Sequence, residues 1–167
     1  MDSDLTLDFI IIIVLIIANG LFSMTELAIV NAKKRKLEEL AEAGNERAKK
    51  AFELAEHPND MFSTIQIGIT LVGILTGLYS GATFSGPLEE ILTANIPSIE
   101  PYAASVSSFL IVAIITYLSL VIGELVPKRL ALNSPEGIAV VVAKPIYWLS
   151  VALKPIVSFL GVSTEFL

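Results

Sequence analysis

Two carboxylates stand inside apolar runs with small polar neighbours at helical spacing, a pattern that suits an oxygen-lined cation site. Asn19, Ser23 and Glu26 follow one another at i, i+4 and i+7, so a helix carries all three on one face. Glu124 lies in "GELVPKRLAL", residues 123–132, at the end of another apolar run. Pro127 has no N–H, so the Gly123 carbonyl loses its helical partner and the ring opens the helix there. A bare carbonyl beside a carboxylate is the expected result. Hard cations such as Mg²⁺, Ca²⁺ or Na⁺ take oxygen ligands, and broken helices near a bilayer supply them. No Lys or Arg lies within the apolar runs to pair with Glu26 or Glu124, so each must be protonated, reach an interface or meet a cation from solution. The competing reading of Glu124 is an i, i+4 pair with Lys128.

The elements that would position these groups are membrane spans. Apolar residues make up 54% of the 167 and charged ones 17%, which sets the membrane class as the default. The first span runs over residues 7–32, with ten consecutive apolar residues at 9–18, and it exceeds the roughly 20 residues needed to cross hydrocarbon. A signal peptide is the alternative, but no positive n-region precedes it and no small-residue cleavage site follows. The second span is placed at 61–84 and the third at 102–125. With no cysteine, disulfides and thiolate chemistry are excluded. There is no basic nucleic-acid footprint.

Between the first two spans, residues 33–57 are charged, alanine-rich and helical in period. Leu37, Leu40, Ala41, Ala48, Phe52 and Ala55 make an incomplete apolar face, so this helix should lie along the membrane surface. Asn59 or Asp60 is expected to cap the second span, and His57 reads as a turn residue rather than a pH sensor. Every Lys and Arg follows span one or span three, whereas Asp2, Asp4, Asp8, Glu89, Glu90 and Glu100 lie on the other side. The positive-inside rule then puts the N-terminus outside and the C-terminus in the cytoplasm, which requires an odd number of spans. Ser134-Pro135 opens a further apolar segment, 135–160. Its near repeat "KPIYWLSVAL" and "KPIVSFLGVS" places Lys144-Pro145 and Lys154-Pro155 where hydrocarbon would be, and Tyr147 and Trp148 prefer the interface. A broken, interfacial helix pair is expected, leaving three spans.

Polar stripes within the spans imply a three-helix bundle with a polar seam. Ser63, Gln66, Thr70, Gly73, Gly77 and Gly81 share a face of span two, and Ser105, Ser108, Thr116, Ser119 and Gly123 a face of span three, with Glu124 beside it. Gly73, Gly77 and Gly81 form a double small-xxx-small ridge suited to close helix contact and to a dimer.

"NGLFSMTELAIVNAKKRKL" and "GELVPKRLAL" resemble the signature segments of the CNNM/CorC transmembrane domain, in its haemolysin-like CorC/HlyC branch, and the resemblance covers essentially the whole chain. It implies a homodimer of three-span subunits in the cell (inner) membrane, girdled by cytoplasmic juxtamembrane helices. It further implies Mg²⁺ efflux, coupled in studied members to Na⁺ entry, and a CBS-domain pair that binds ATP beyond residue 167. The family's ion site would use the Ser23 hydroxyl, the Glu124 carboxylate and backbone oxygen near Gly123. Asn19, Gly20, Glu26, Gln66 and Thr70 are the additional seam or coupling-ion residues. Many members carry an asparagine pair where this chain has Ile69 and Thr70, which weakens the argument for Mg²⁺. Some relatives of this branch are linked to diamine export, so putrescine or cadaverine is the alternative cargo. A membrane anchor for a cytoplasmic sensor is the alternative of another class. No nucleophile triad, phosphate-binding glycine loop or His-rich metal motif appears, so an enzyme is not expected.

Overall fold

The computed structural model describes the backbone of residues 2–165 and the side chains of 5–59 and 61–159. It is built of helices: α1 Asp2–Asn31, α2 Lys34–Glu42, α3 Glu46–Glu56, α4 Pro58–Asn95, a 3₁₀ turn Pro97–Tyr102, α5 Ala103–Leu120, a π-helical turn Val121–Leu125, α6 Val126–Asn133 and α7 Pro135–Glu165. α1 packs on α4 and α4 on α5, while the π turn and α6 lie against α1. Among the described residues four helical stretches are long and apolar enough to cross a membrane: Leu5–Asn31, Met61–Asn95, Pro97–Asn133 and Pro135–Phe159.

The second span is longer than expected. α4 continues through Pro87 to Asn95, carrying Glu89 and Glu90 on what reads as a loop. Its 38 residues span about 57 Å, nearly twice the hydrocarbon thickness, so one end must stand clear of the bilayer. It also starts differently: Pro58 takes the first helical position and His57 flanks it, so Asn59 lies inside the first turn rather than capping it. The Asp60 side chain lies outside the described residues.

The charged segment 33–57 is two helices rather than one. Gly44 adopts φ +90°, a left-handed conformation that ends α2, and the Asn45 side chain accepts from the N–H groups of Arg47 and Ala48 at 3.0 and 3.1 Å to start α3. Leu37, Ala48, Ala51, Leu54 and Ala55 are buried, whereas Leu40 is exposed. Leu37, Ala51, Leu54 and Ala55 join Ile29, Ala32, Met61 and Ile65 with Ala139, Val142, Ala143 and Ile146 of α7 in the main core, which therefore sits at the base of α1 and α4. Higher up the rods little is buried, and α5 contributes only Ala103 and Ser107 among its described residues.

α7 is one continuous helix with Pro145 and Pro155 inside it, not a broken pair. Each proline removes a single hydrogen bond and the helix continues around the gap. Its first half is held by α3, where Lys50 lies 4.1 Å from the Tyr147 ring centroid and 2.6 Å from Glu53. The Glu53 carboxylate raises the Lys50 pKa above its usual value.

Candidate functional site

The site forms where α1 meets the break in the third long helix. The π turn, in which the N–H of Val126 reaches back to the Val121 carbonyl, absorbs the disruption imposed by Pro127, itself buried. Two glycines let the backbones touch. A Cβ on Gly20 would lie 2.9 Å from Pro127 Cγ and 3.2 Å from the Ile122 carbonyl, and one on Gly123 would lie 3.2 Å from both Asn19 Nδ2 and the Ile16 carbonyl. Gly20 thus serves close packing of α1 on the broken segment.

The Gly123 carbonyl is not bare. Pro127 cannot return an N–H to it, and Asn19 Nδ2 donates instead at 3.1 Å. The opposite end of the same amide, Oδ1, is buried with no partner, and one helical turn further along α1 the Ser23 hydroxyl is also buried, 1% exposed, without a partner. Thr25, on the neighbouring face, donates to the Leu21 carbonyl at 2.7 Å and is satisfied. Buried unpaired polar atoms are uncommon and costly, so two on adjacent turns beside a helix break are a specific feature.

Glu124 is not unpaired either. Its Oε1 accepts from Lys128 Nζ at 2.6 Å, with the two side chains 40% and 35% exposed. The lysine lies one turn on, beyond the proline, close enough for the i, i+4 pair to form. Glu26 is partly buried on the same helix as Ser23. Among the described residues no group of three or more His, Cys, Asp or Glu could hold a metal, so a cation here would draw on amide, hydroxyl and carbonyl oxygen as well as carboxylate.

The wider seam is different from the three facing stripes. Gln66, Thr70, Gly73 and Gly77 are exposed on α4, and a Cβ on Gly73, Gly77 or Gly81 would meet nothing within 4 Å. The stripe α4 turns inward contains Thr64, Gly68, Thr76 and Ser80, with Gly68 so close to Phe22 that a Cβ would lie 2.6 Å from its ring. Ser105, Ser108 and Thr116 of α5 also face outward, and only the lower end of that stripe, at Gly123, comes to α1. The reason is that span three touches α1 mainly through its π turn.

One further group escapes sequence reading. Glu136, buried at the start of α7, accepts from the Lys33 backbone N–H and from Lys36 Nζ, both at 3.4 Å, tying the base of α1 to the segment after the third span. Its partners lie 103 and 100 residues away, and no local spacing signals them.

A bundle of long apolar helices with a break near one end is the form of a membrane domain. A family model, the Cyclin M transmembrane N-terminal domain, matches residues 10–167, and the chain belongs to that family. It is 51% identical over 163 residues to the UPF0053 protein sll0260 of Synechocystis, covering 98% of this chain and 36% of that protein. It is 32% identical over 164 residues to the UPF0053 protein YugS of Bacillus subtilis, covering 98% and 38%. Over 149 residues it is 31% identical to the polyamine export protein of Escherichia coli strain K12, covering 89% and 33%. The chain therefore spans between a third and two-fifths of the length of these relatives. The resemblance read from the first span and "GELVPKRLAL" is borne out.

Proposed function

We propose that this domain moves a cation across the membrane and that its cargo is partly dehydrated Mg²⁺, bound where α1 meets the π turn. The observation that carries this reading is the pair of buried oxygens without partners, Asn19 Oδ1 and Ser23 Oγ, beside the Gly123 carbonyl. A cation arriving from solution would satisfy both and draw Glu124 away from Lys128. Mg²⁺ keeps several waters and needs only one or two carboxylates, which fits a site with a single nearby acid. Export and coupling to Na⁺ entry rest on the family resemblance.

Three spans, with the N-terminus outside, remain the reading that the packing supports best. Ala139, Val142, Ala143 and Ile146 of α7 share a core with α3, whose other face carries Arg47, Lys49 and Glu56. That face cannot enter hydrocarbon, so the first half of α7 is held at the membrane boundary. The outward ridge of Gly73, Gly77 and Gly81 is where a second copy would pack.

Diamine export is the second reading, favoured by the names of relatives about as similar as the Escherichia coli polyamine export protein. A diamine needs two acceptor groups separated by its carbon chain, and Glu26 with Glu124 would have to provide them. Thermal unfolding of the purified chain separates the two. At a hundredfold excess over Kd, a bound ligand stabilises by about 2.7 kcal/mol. Mg²⁺ should raise Tm, with a smaller rise in Ser23→Ala and none in Glu124→Gln; a larger rise with putrescine than with Mg²⁺ would transfer the site to the diamine.

A further inference from the structure

At the base of α1 the chain forms an open-sided cleft of about 240 Å³, lined by Ile29, Val30, Ala32, Ala55, Pro58 and Phe62, with Lys34 at its edge. Its position is set by the sequence: the apolar run of α1 ends at Ala32, α4 begins at Pro58, and α3 closes the third side. The apolar wall therefore continues the lipid-facing surface of the spans, with Val30 56% exposed, up to the level at which charged residues begin.

Four cations, Lys33, Lys34, Arg35 and Lys36, stand at that level. Two are neutralised within the chain: Arg35 pairs with Glu39 at 3.0 Å, and Lys36 with Glu136 at 3.4 Å. Glu136 also accepts from the Lys33 backbone N–H, and its ion pair is with Lys36 rather than with the Lys33 ammonium. Among the described residues the ammonium groups of Lys33 and Lys34 pair with no carboxylate. Of these two uncompensated positive charges, Lys34 lines the apolar cleft and Lys33 directly precedes it in the chain.

We propose that this cleft binds an anionic phospholipid, with the headgroup phosphate at Lys33 and Lys34 and an acyl chain along Val30, Ile29 and Phe62. Charge complementarity selects an anionic headgroup over a zwitterionic one. The apolar lining of the cleft selects an amphiphile over a free anion, because a phosphate without a chain would leave the apolar wall uncovered. Long lysine stems suit the position, since they cover apolar surface while the ammonium reaches the headgroup level. The cleft has none of Asn19, Ser23 and Glu124 in its lining, and the proposal is independent of which cation the domain carries. A lipid seated there would bridge α1, α3 and α4, bracing the juxtamembrane layer against the spans.

The test uses the 167-residue chain in a zwitterionic detergent, titrated with dioleoylphosphatidylglycerol, dioleoylphosphatidylcholine or inorganic phosphate, and read by native mass spectrometry and by thermal unfolding. Phosphatidylglycerol should bind and raise Tm, phosphatidylcholine should bind more weakly, and inorganic phosphate should do neither. Each lysine near the surface is worth about a fivefold change in affinity, so Lys33→Gln/Lys34→Gln should weaken phosphatidylglycerol binding by roughly 25-fold. Val30→Gln keeps the charge but places an amide where the acyl chain lies, and should weaken binding as well. Both variants alter exposed side chains, so the fold is retained. Equal binding of the two lipids, full binding by the double lysine variant or by Val30→Gln, or reproduction of the shift by inorganic phosphate would overturn the proposal.

Discussion

Asn19 and Gly123 lie 104 residues apart in the chain and are joined by a 3.1 Å hydrogen bond from the side-chain amide to the backbone carbonyl. A carbonyl only accepts, so the amide nitrogen must face Gly123 and the amide oxygen is the end left over. One residue therefore both replaces the hydrogen bond that Pro127 cannot make and presents an unpaired acceptor beside Ser23. Asn19→Leu removes both. Leaving the Gly123 carbonyl unsatisfied should cost about 1–3 kcal/mol by denaturant unfolding, and stabilisation by Mg²⁺ should fall together with it.

The glycines divide into two groups that should respond oppositely. Gly20→Ala and Gly123→Ala force a methyl group against backbone or the Pro127 ring, and each should destabilise the subunit by about 1–3 kcal/mol. Gly77→Ala meets nothing within the subunit, so in an isolated subunit it should be neutral or stabilising by up to about 1 kcal/mol through helix propensity. Gly77→Leu should lower the mass in detergent by light scattering while leaving the helical signal intact, because the larger side chain obstructs a second copy and nothing else. Unchanged mass would move the dimer contact to another face.

On the proposed reading, Lys128 would compete with the cargo for Glu124. The pair is partly exposed, so removing the lysine should cost the fold little, since surface ion pairs contribute under about 1 kcal/mol. Lys128→Gln should therefore tighten apparent Mg²⁺ affinity, measured by thermal shift or calorimetry. A weaker affinity would mean that the lysine holds Glu124 in its binding orientation instead.

Glu136→Gln tests the tie between the ends of the spans. The amide can still accept from the Lys33 N–H but loses the charge that holds Lys36. Faster amide hydrogen exchange should appear first in 33–37 and at the start of α7, with the apolar core of α1 unchanged. Exchange that rose uniformly along the chain would show global destabilisation rather than a local tie.

The legible parts of this fold are those written in local patterns. The long helices appear as apolar runs, and the break at Pro127 follows from one missing N–H. The cap at Asn45 was present in the sequence too, as an Ala-Gly-Asn turn inside an otherwise periodic segment that reads as one helix. What local spacing cannot supply is which polar face turns inward. Gln66 and Thr70 lie on a regular stripe, yet the packing of Gly68 on Phe22 directs the neighbouring stripe of α4 toward α1. The roles of Asn19 and Glu136 depend on partners at opposite ends of the chain. The extension of α4 through Pro87 and the continuity of α7 through Pro145 and Pro155 show a different limit: a proline costs one hydrogen bond, and a long apolar helix absorbs it.

The most direct test of the central claim is cation flux in sealed vesicles reconstituted with the domain joined to the remaining sequence of its longer relatives. Under an inward Na⁺ gradient, a Mg²⁺-sensitive dye should report transport by the wild type, reduced in Ser23→Ala and abolished in Glu124→Gln, with putrescine competing weakly. Putrescine flux without Mg²⁺ movement would contradict the choice of cargo. Movement of neither, from protein shown to be folded and inserted, would contradict transport itself and leave a membrane anchor.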